Sequence, residues 1–331
     1  MKRNADRLSS PSDPLIFAPM RPSLGVITVT FAACLSAVAP SHAQETRSEA
    51  LRARITQRIA AVPGAEVAVS FRDLGSGDRL DLRSDVDFHA ASTMKIPVML
   101  EVLRAVEAGR IALDQPVLLV NRFHSIVDGS PYALNAGDDS DSSVYSRVGD
   151  RVPVRELMER MIVRSSNLAT NALIALVGAE QANATAHALG AAHIRVLRGV
   201  EDGKAYAAGR NNTTTSADLA TLLERIERGE ALQPASVRLM KEILLRQEFN
   251  DEIPAGVPKG TPVAHKTGSI TATLHDAAIV YPSNRAPYVL VVLTRAITDE
   301  RVAQTLIADI SRLVWAHTSE RAAAAAASGA R

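Results

Sequence analysis

Cysteine is almost absent from this sequence of 331 residues: the single one, Cys34, lies in an apolar segment near the N-terminus. If that segment is removed on export, the mature chain has no thiol and therefore no disulfide. Export without disulfides is typical of the bacterial periplasm and of folds large enough to be stable without covalent cross-links. A content of 47% hydrophobic and 22% charged residues indicates a globular chain with enough length for a large core or two subdomains.

A strong charge of either sign is also lacking, because the formal net charge is only +1 at pH 7. A near-neutral body argues against nucleic acid as a partner. No G-x-S-x-G motif occurs, which disfavours an α/β-hydrolase, and no glycine-rich phosphate-binding loop is present. The eight histidines show no spacing typical of metal ligands, so we expect neither a metal nor another cofactor; His265 and His275 are interpreted as packing residues.

The N-terminal segment has the layout of a secretory signal peptide. The apolar run 24–39 follows Arg21, and the small residues Ser41 and Ala43 fit a cleavage site after Ala43. Met20 stands directly before Arg21 and provides a start with the short positive region that such signals need. We therefore expect translation to begin at Met20.

Residues 1–43 are accordingly predicted to be removed, which leaves a periplasmic or secreted protein without a stable membrane anchor. A transmembrane anchor is the first alternative, but the apolar run is short and Pro40 interrupts it. A lipoprotein acylated at Cys34 is the second, but Phe31 stands where a small aliphatic residue is expected. The signal peptide fits the sequence better than either.

Two side chains with complementary chemistry, Ser92 and Lys95, stand three residues apart at the start of a helix predicted for residues 92–108. At this spacing both lie on one helical face. A serine hydroxyl is a poor nucleophile at neutral pH, and a lysine can be its base only where burial or a neighbouring cation lowers the lysine pKa. Taken alone, the pair is also typical of a helix start that Ser92 or Thr93 caps, with Lys95 in solvent.

Two further motifs follow in the chain, Ser165-Ser166-Asn167 and Lys266-Thr267-Gly268. Taken alone, the first is typical of a helix-capping turn and the second is a common tripeptide. Together with Ser92 and Lys95, and in this order, they resemble the S-x-x-K, S-D-N and K-T-G elements of the class A serine β-lactamases and the related penicillin-binding proteins. The resemblance covers residues 47–318.

The resemblance implies roles for the first two motifs. Ser92 would attack the carbonyl of a β-lactam or peptide and become acylated, while Lys95 would be neutral for part of the cycle or relay the proton. Ser165 would pass a proton to the departing nitrogen, and the amide of Asn167 would contact Lys95 and the substrate. Ser166 replaces the aspartate of S-D-N, so the family's carboxylate is missing at this position.

The third motif would lie on an edge strand that faces the nucleophile. The resemblance implies that Lys266 and the hydroxyls of Thr267 and Ser269 hold a substrate carboxylate. It also implies that the backbone amides of Ser92 and Ser269 form the oxyanion hole. Gly268 is expected to let the substrate approach the strand closely.

An arginine that reads the substrate carboxylate, as the family has, is not evident in this sequence. None occurs in residues 267–284, and Arg295 and Arg301 are only guesses. The resemblance therefore does not define the range of substrates.

The stretch that would supply the base for deacylation departs from the family pattern. Glu201 is the natural candidate, but it stands three residues after Arg198 instead of two, and Asp202 and Ala205 replace a proline and an asparagine. Asn212 stands where an aspartate normally pairs with the arginine. We predict that Glu201 activates the hydrolytic water, and the alternative is an ordinary solvated acid on a loop.

The order of predicted elements indicates a mixed α and β fold. An amphipathic helix and a β-hairpin come first, helices fill the middle of the chain, and a β-meander and a last helix close it. This order favours an antiparallel sheet flanked by helices and built from both chain ends, with an inserted all-helical subdomain. It agrees with the fold that the resemblance implies.

The predicted domain boundaries follow from this order. Residues 44–318 form one catalytic domain, in which 44–108 and 260–318 make the sheet lobe and 109–259 make the mainly helical lobe. Residues 121–152 are polar and without periodicity, and are predicted to be a long surface loop. Residues 319–331 are an alanine-rich tail that we expect to fray.

Three functions are compatible with the sequence. The first is a periplasmic serine hydrolase that opens β-lactams through an acyl-enzyme on Ser92. The second is a penicillin-binding-type D-alanyl-D-alanine peptidase or esterase that releases β-lactams slowly. The third is a sensor that captures a β-lactam or muropeptide without turnover. In each case we expect a monomer with a small-molecule partner, and the placement of Glu201 discriminates the first function from the other two.

Overall fold

The computed structural model describes residues 42–329, so the predicted signal peptide lies almost entirely outside the described part of the chain. Five antiparallel strands form the central sheet, which confirms the predicted mixed α and β fold with one sheet built from both chain ends. The strands are β1 (Glu66–Asp73), β2 (Arg79–Leu82), β3 (Phe88–His89), β4 (Pro116–Leu118), β5 (Phe123–His124), β6 (Pro131–Tyr132), β7 (Arg151–Pro153), β8 (Thr213–Thr214), β9 (Val263–Ile270), β10 (Thr273–Val280) and β11 (Tyr288–Arg295). Their order in the central sheet is β2-β1-β11-β10-β9, which leaves β9 at one edge.

Apolar residues on both faces explain why the central strands form. β11 runs between β1 and β10, and nearly all of its side chains are buried. Val289, Val291 and Leu293 face one hydrophobic core, whereas Leu290 and Val292 face the other. Because successive side chains of a strand point to opposite faces, a continuous apolar run is what a strand between two layers requires.

One face of the sheet is covered by α1 and α9, and a helical lobe contacts the other. The helices are α1 (His42–Ala60), α2 (Lys95–Glu107), α3 (Val154–Val163), α4 (Asn167–Val177), α5 (Ala179–Ala188), α6 (Gly203–Ala207), α7 (Ser216–Glu227), α8 (Pro234–Leu244) and α9 (Glu300–Gly329). None of the helices within 42–329 combines the length and the apolar character that crossing a lipid bilayer takes.

Two helices, α2 and α7, do not pack in the lobe to which the predicted boundaries assign them. α2 was predicted to belong to the sheet lobe, but it packs against α3, α4, α5 and α8 at the centre of the helical lobe. Its side chains are buried around most of its circumference, and such a helix needs neighbours on several sides. Conversely, α7 packs on β1, β10 and β11 of the sheet.

The last helix is longer than predicted. The sequence analysis treated residues 319–331 as a fraying tail, whereas α9 continues to Gly329. Arg321, in this extension, forms an ion pair with Asp78 at 2.9 Å. Alanine is the best helix former, so the alanine-rich sequence supports continuation of the helix.

Residues 121–152, predicted to be a surface loop, contain short regular elements. β5 pairs with β6, and β7 pairs with β4 at the base of the segment. A 3₁₀ helix spans Ser142–Arg147. Several polar side chains of the segment are buried, among them Ser125 and Asp139. These residues contact the candidate active site.

Asp78, in the turn between β1 and β2, connects the sheet to the two helices that cover it. Ser48 of α1 donates a hydrogen bond to Asp78 Oδ1 at 2.8 Å, and His317 Nε2 of α9 lies 2.7 Å from Oδ2. Burial alone would raise the pKa of Asp78, but the hydrogen bonds from His317, Ser48 and Arg321 outweigh it and lower the pKa to about 2. The ionised carboxylate therefore stabilises the fold.

We expect Asp78→Asn to lower the free energy of unfolding at pH 7 by about 1–3 kcal/mol, because it weakens the buried hydrogen bonds of a charged group. A depressed pKa stabilises the folded state above the ordinary value of 3.8, and this contribution is lost as the pH falls towards about 2. Urea denaturation at pH 7 and at about pH 2.5 measures the difference, with the exposed Asp85→Asn as control. An equal loss at both pH values would contradict this role of Asp78.

Candidate active site

Ser92 and Lys95 lie at the junction between a 3₁₀ turn and α2. The turn spans Ala91–Met94, and Lys95 is the first residue of α2. Neither Ser92 nor Thr93 caps a helix, so the capping interpretation of this motif does not apply. Ser92 is partly exposed, while Lys95 is fully buried, and Lys95 Nζ lies 3.0 Å from Ser92 Oγ. A hydroxyl that solvent can reach thus adjoins an amine that solvent cannot reach.

The amine of Lys95 is surrounded by uncharged oxygen atoms. Besides Ser92 Oγ, its contacts are the carbonyl oxygen of Ser165 at 2.7 Å, Ser165 Oγ at 3.0 Å and Asn167 Oδ1 at 3.0 Å. Burial and the nearby Lys266 lower the pKa of Lys95 well below its ordinary value of 10.5, against the opposing influence of Asp139 and Glu201. A lysine with a lowered pKa can be neutral near pH 7 and accept the proton of a serine.

Ser165 and Asn167 come from the short turn between α3 and α4. Ser165 has φ of 57°, in the left-handed region that costs a non-glycine residue about 1–3 kcal/mol. Ser166 caps α4, since its side chain accepts a hydrogen bond from the amide of Ala169. The strained turn directs both the carbonyl and the hydroxyl of Ser165 to Lys95. Ser165 thus keeps an energetically unfavourable backbone conformation at the point where both Ser92 and Ser165 contact the amine of Lys95.

A carboxylate does lie at this turn, although Ser166 replaces the aspartate of S-D-N. Asp139 Oδ2 accepts hydrogen bonds from the amides of Asn167 at 2.9 Å and Leu168 at 3.0 Å. Tyr145 also donates to this oxygen, and Ser166 Oγ is 3.5 Å away. The sequence analysis took the carboxylate to be lost, whereas the 121–152 segment supplies it at the N-terminus of α4, where a negative charge is favourable.

Glu201 joins the site through Asn167. Asn167 Nδ2 donates a hydrogen bond of 2.7 Å to Glu201 Oε1, while Asn167 Oδ1 accepts one from Lys95. Partial burial and the charges of Asp139 and Asp138 raise the pKa of Glu201, although the hydrogen bond from Asn167 opposes the rise. A raised pKa makes a carboxylate a stronger base. The structure therefore brings Glu201 into the cluster.

The loop that carries Glu201 is held by Asn171, which the sequence analysis did not single out. Asn171 lies one helical turn after Asn167 on α4, and its amide exchanges two hydrogen bonds with the backbone of Val200, of 2.7 and 3.0 Å. Asparagines four residues apart on one helical face are the signal that could have identified it. Glu201 itself has φ of 62°, so this anchor holds a strained residue.

The substituted positions of the loop have their own contacts. Asn212 accepts hydrogen bonds from the amides of Leu197 and Arg198 and donates to the carbonyl of Arg198, so neutral amide contacts replace an ion pair. Asp202 caps α6 and accepts further hydrogen bonds from Ser125 Oγ and the amide of Ile126, each of 2.9 Å. Asp202 therefore ties this loop to the 121–152 segment.

The K-T-G motif lies on the edge strand β9, as predicted. Lys266 is fully buried, and its Nζ donates to the carbonyl of Thr267 at 2.8 Å. Burial lowers the pKa of Lys266 to about 7, against the opposing charges of Asp276 and Glu252. Thr267 and Ser269 line a cavity together with Ser92. Their hydroxyls are therefore placed to contact a substrate.

Close packing also requires a glycine at position 268, in addition to the expected approach of a substrate. A Cβ atom at this position would lie 2.9 Å from the amide nitrogen of Ser92 and 3.1 Å from that of Thr93. Distances this short force a neighbouring atom to move. Glycine thus lets β9 pack directly on the backbone of Ser92.

Two cavities meet at Ser92 and Ser269. The larger, of about 370 Å³, is also lined by Asn167 and Glu201, and the smaller, of about 240 Å³, by Ser165 and the K-T-G strand. Neither of the arginines considered above lines them, and Arg295 instead pairs with Glu66. No group of three or more His, Cys, Asp or Glu side chains in the described chain is arranged to hold a metal ion.

Comparison with protein families gives one match that spans most of the chain. The profile of the beta-lactamase enzyme family matches residues 50–318. A beta-lactamase of Streptomyces albus G is 30% identical, over 76% of this chain and 79% of its own length. The beta-lactamase L2 of Stenotrophomonas maltophilia is 31% identical, over 74% of this chain and 78% of its own.

Solved structures with the same fold include both penicillin-binding and hydrolytic proteins. The structure of PBP-A aligns with a TM-score of 0.70 and 30% identity, over 82% of this chain and 96% of that one. A PBP-A variant in its acyl-enzyme complex with penicillin G aligns equally well, with 29% identity. A beta-lactamase from Xanthomonas campestris aligns with a TM-score of 0.70 and 27% identity, over 81% and 97% of the two chains.

We expect Asp139→Ala to lower the free energy of unfolding by about 1–3 kcal/mol, because it leaves the buried amides of Asn167 and Leu168 without an acceptor. Asp139→Asn is the matched variant, since its side-chain carbonyl can still accept from these amides, and it should lose less. Urea denaturation of the three proteins measures the order. Stability of Asp139→Ala equal to that of the unmodified protein would contradict the role given to this carboxylate.

Proposed function

The chain belongs to the beta-lactamase enzyme family, and on that premise we propose that it is a serine hydrolase that opens the β-lactam ring through an acyl-enzyme on Ser92. The observation that carries the proposal is a continuous series of contacts from Ser92 through Lys95 and Asn167 to Glu201. It connects a nucleophile, a buried amine and a loop carboxylate, the three groups that acylation and hydrolysis need.

In the acylation step, neutral Lys95 accepts the proton of Ser92 Oγ as this oxygen bonds to the lactam carbonyl carbon. The carbonyl oxygen becomes an oxyanion, which the amides of Ser92 and Ser269 stabilise. When the oxyanion collapses, the carbon–nitrogen bond of the ring breaks and the nitrogen takes a proton from Ser165 Oγ. Lys95 returns its proton to Ser165, because its Nζ lies 3.0 Å from both hydroxyl oxygens.

In the deacylation step, Glu201 accepts a proton from a water molecule whose oxygen attacks the ester carbon. The ester bond to Ser92 Oγ breaks, and the proton that Glu201 accepted passes to Ser92 Oγ, which restores the hydroxyl and the ionised Glu201. Support for this role comes from the contact of Glu201 with Asn167 and from the cavity that Glu201 shares with Ser92. The alternative is an ordinary solvated acid on a loop. Glu201 is exposed, but its hydrogen bond with Asn167 favours the role of base.

A second candidate function is a penicillin-binding-type peptidase or esterase, or a sensor, that forms the acyl-enzyme and releases it slowly. The observation that favours it is the altered loop around Glu201. In this loop the buried Ala205 stands where the class A family has an asparagine that helps to hold the hydrolytic water. Similarity to PBP-A, of which an acyl-enzyme complex with penicillin G has been solved, is compatible with either function.

We also propose that the protein acts as a monomer in the periplasm, after cleavage behind Ala43, on a small molecule that is a β-lactam or related to a muropeptide. The sequence of the N-terminal segment supports export. Each residue of the proposed mechanism lies in one chain, so the site needs no second copy.

The proposal predicts different products for two variants mixed with penicillin G. Ser92→Ala should form no covalent adduct, because the nucleophile is missing. Glu201→Gln should form the adduct and keep it, with deacylation slowed by about 100-fold or more, because the general base is missing. Intact-mass spectrometry of the protein, together with assay of the hydrolysed product, measures both.

Glu180→Gln, at an exposed position of α5, is the matched control and should behave as the unmodified protein. Unaltered turnover by Glu201→Gln would exclude Glu201 as the base. Adduct without product in the unmodified protein would favour the slow-releasing candidate. Neither adduct nor product would refute the proposed function.

A further inference from the structure

The smaller cavity at Ser92 carries negative charge at one end. Its lining comprises Ser92 and Ser165, Thr267 and Ser269 on β9, and acidic residues from two other parts of the chain. Asp251 and Glu252 precede the 3₁₀ turn Pro254–Gly256, and Glu300 begins α9. No arginine, lysine or histidine is among the lining residues.

These three acids lack the partners that acidic residues usually have. Asp251 and Glu300 are exposed, and within residues 42–329 none of the three forms an ion pair with a lysine or arginine. Other exposed acids of this chain do, such as Asp128 with Lys204. Asp251 and Glu300 are therefore not paired with a cation in the described part of the protein, while the charge of Glu252 acts on the buried Lys266.

Glu252 is the most unusual of the three. It is only 3% exposed, it lines the cavity, and its Oε2 has no hydrogen-bond partner in the described chain. Burial and the charges of Asp276 and Asp251 raise the pKa of Glu252 to about 8. A buried, unpartnered carboxyl oxygen costs free energy unless a ligand contacts it. A nearby positive charge would favour its ionised form.

An aromatic ring completes this end of the cavity. Phe249 is 39% exposed, which is unusual for a large apolar side chain, and it lines the same cavity as the acids. An aromatic face beside carboxylates is the combination that recognises ammonium groups, and quaternary ones in particular. The cavity thus offers a cation both charge and a π surface.

We propose that this end of the cavity binds a positively charged nitrogen of the substrate, while Thr267 and Ser269 hold the substrate carboxylate. The inference rests on the proposed function for the placement of the reactive carbonyl at Ser92. It gives the chain a preference for zwitterionic β-lactams, whose cation lies beyond the carboxylate, over singly anionic ones.

Two cephalosporins test the proposal, because they share one acylamino side chain and differ at ring position 3. Cefepime carries a quaternary ammonium group there, and cefotaxime carries a neutral acetoxymethyl group. Binding is measured by isothermal titration calorimetry with the Ser92→Ala protein, so that no reaction disturbs the equilibrium. We expect cefepime to bind about 3- to 10-fold more tightly, and the preference to shrink as salt is added.

Variants that remove one negative charge in the Ser92→Ala background show which acids cause the preference for cefepime over cefotaxime. Asp251→Asn and Glu300→Gln should each reduce the cefepime-to-cefotaxime affinity ratio by about 2- to 3-fold, and the double variant should bring it close to one. Asp114→Asn removes one charge at an exposed position that lines neither cavity, and it should leave the ratio unchanged. Circular dichroism checks that each variant is folded.

An affinity ratio near one in the Ser92→Ala protein, or a ratio that Asp251→Asn and Glu300→Gln do not change, would overturn the cation site. Absence of binding by both compounds would overturn it as well. Because binding is measured without acylation, these results are distinct from failure of the proposed function, which shows as absence of adduct and product with Ser92 intact.

Discussion

The site depends on one constraint, the burial of the Lys95 amine without a carboxylate in direct contact. An ammonium group removed from water needs either an opposite charge or a lowered pKa. Here the contacts are hydroxyl, carbonyl and amide oxygens, and the charges of Asp139 and Glu201 only partly oppose the lowering of the Lys95 pKa by burial and by Lys266. The result is an amine suited to act as a base close to Ser92. The burial of this amine also constrains the turn before α2, the strained residue Ser165 and the first turn of α4, because each of them provides a hydrogen-bond acceptor for it.

The 121–152 segment stabilises this arrangement from two directions. Asp139 binds the amides that begin α4 and so positions Asn167, which contacts both Lys95 and Glu201. Ser125 binds Asp202 in the loop that carries Glu201. The groups proposed for acylation and deacylation therefore depend on one segment. Where the sequence departs from the family, at Ser166 and Asp202, the structure shows contacts that compensate for or replace the usual ones.

The sequence predicted the sheet and most of the helices, because these follow from local apolar periodicity. The motif residues that the structure brings together were identified from the resemblance to a known family. The sequence did not predict the role of Asp139, which lies 28 residues before Asn167 in a polar segment without periodicity. Nor did it assign α2 and α7 to their lobes, since packing partners distant in the chain decide that. The acids of the smaller cavity were missed because Asp251 and Glu300 are distant in sequence and meet only in the folded protein.

The most direct measurement is the pH dependence of acylation by the Glu201→Gln protein, followed as single-turnover formation of the penicillin adduct at saturating substrate. With Glu201 removed, Lys95 is the base that remains. The account predicts a rate that becomes constant well below pH 10.5, because the lowered pKa of Lys95 leaves its amine neutral there. A rate that keeps rising to about pH 10, where an ordinary lysine loses its proton, would contradict it, as would complete loss of acylation.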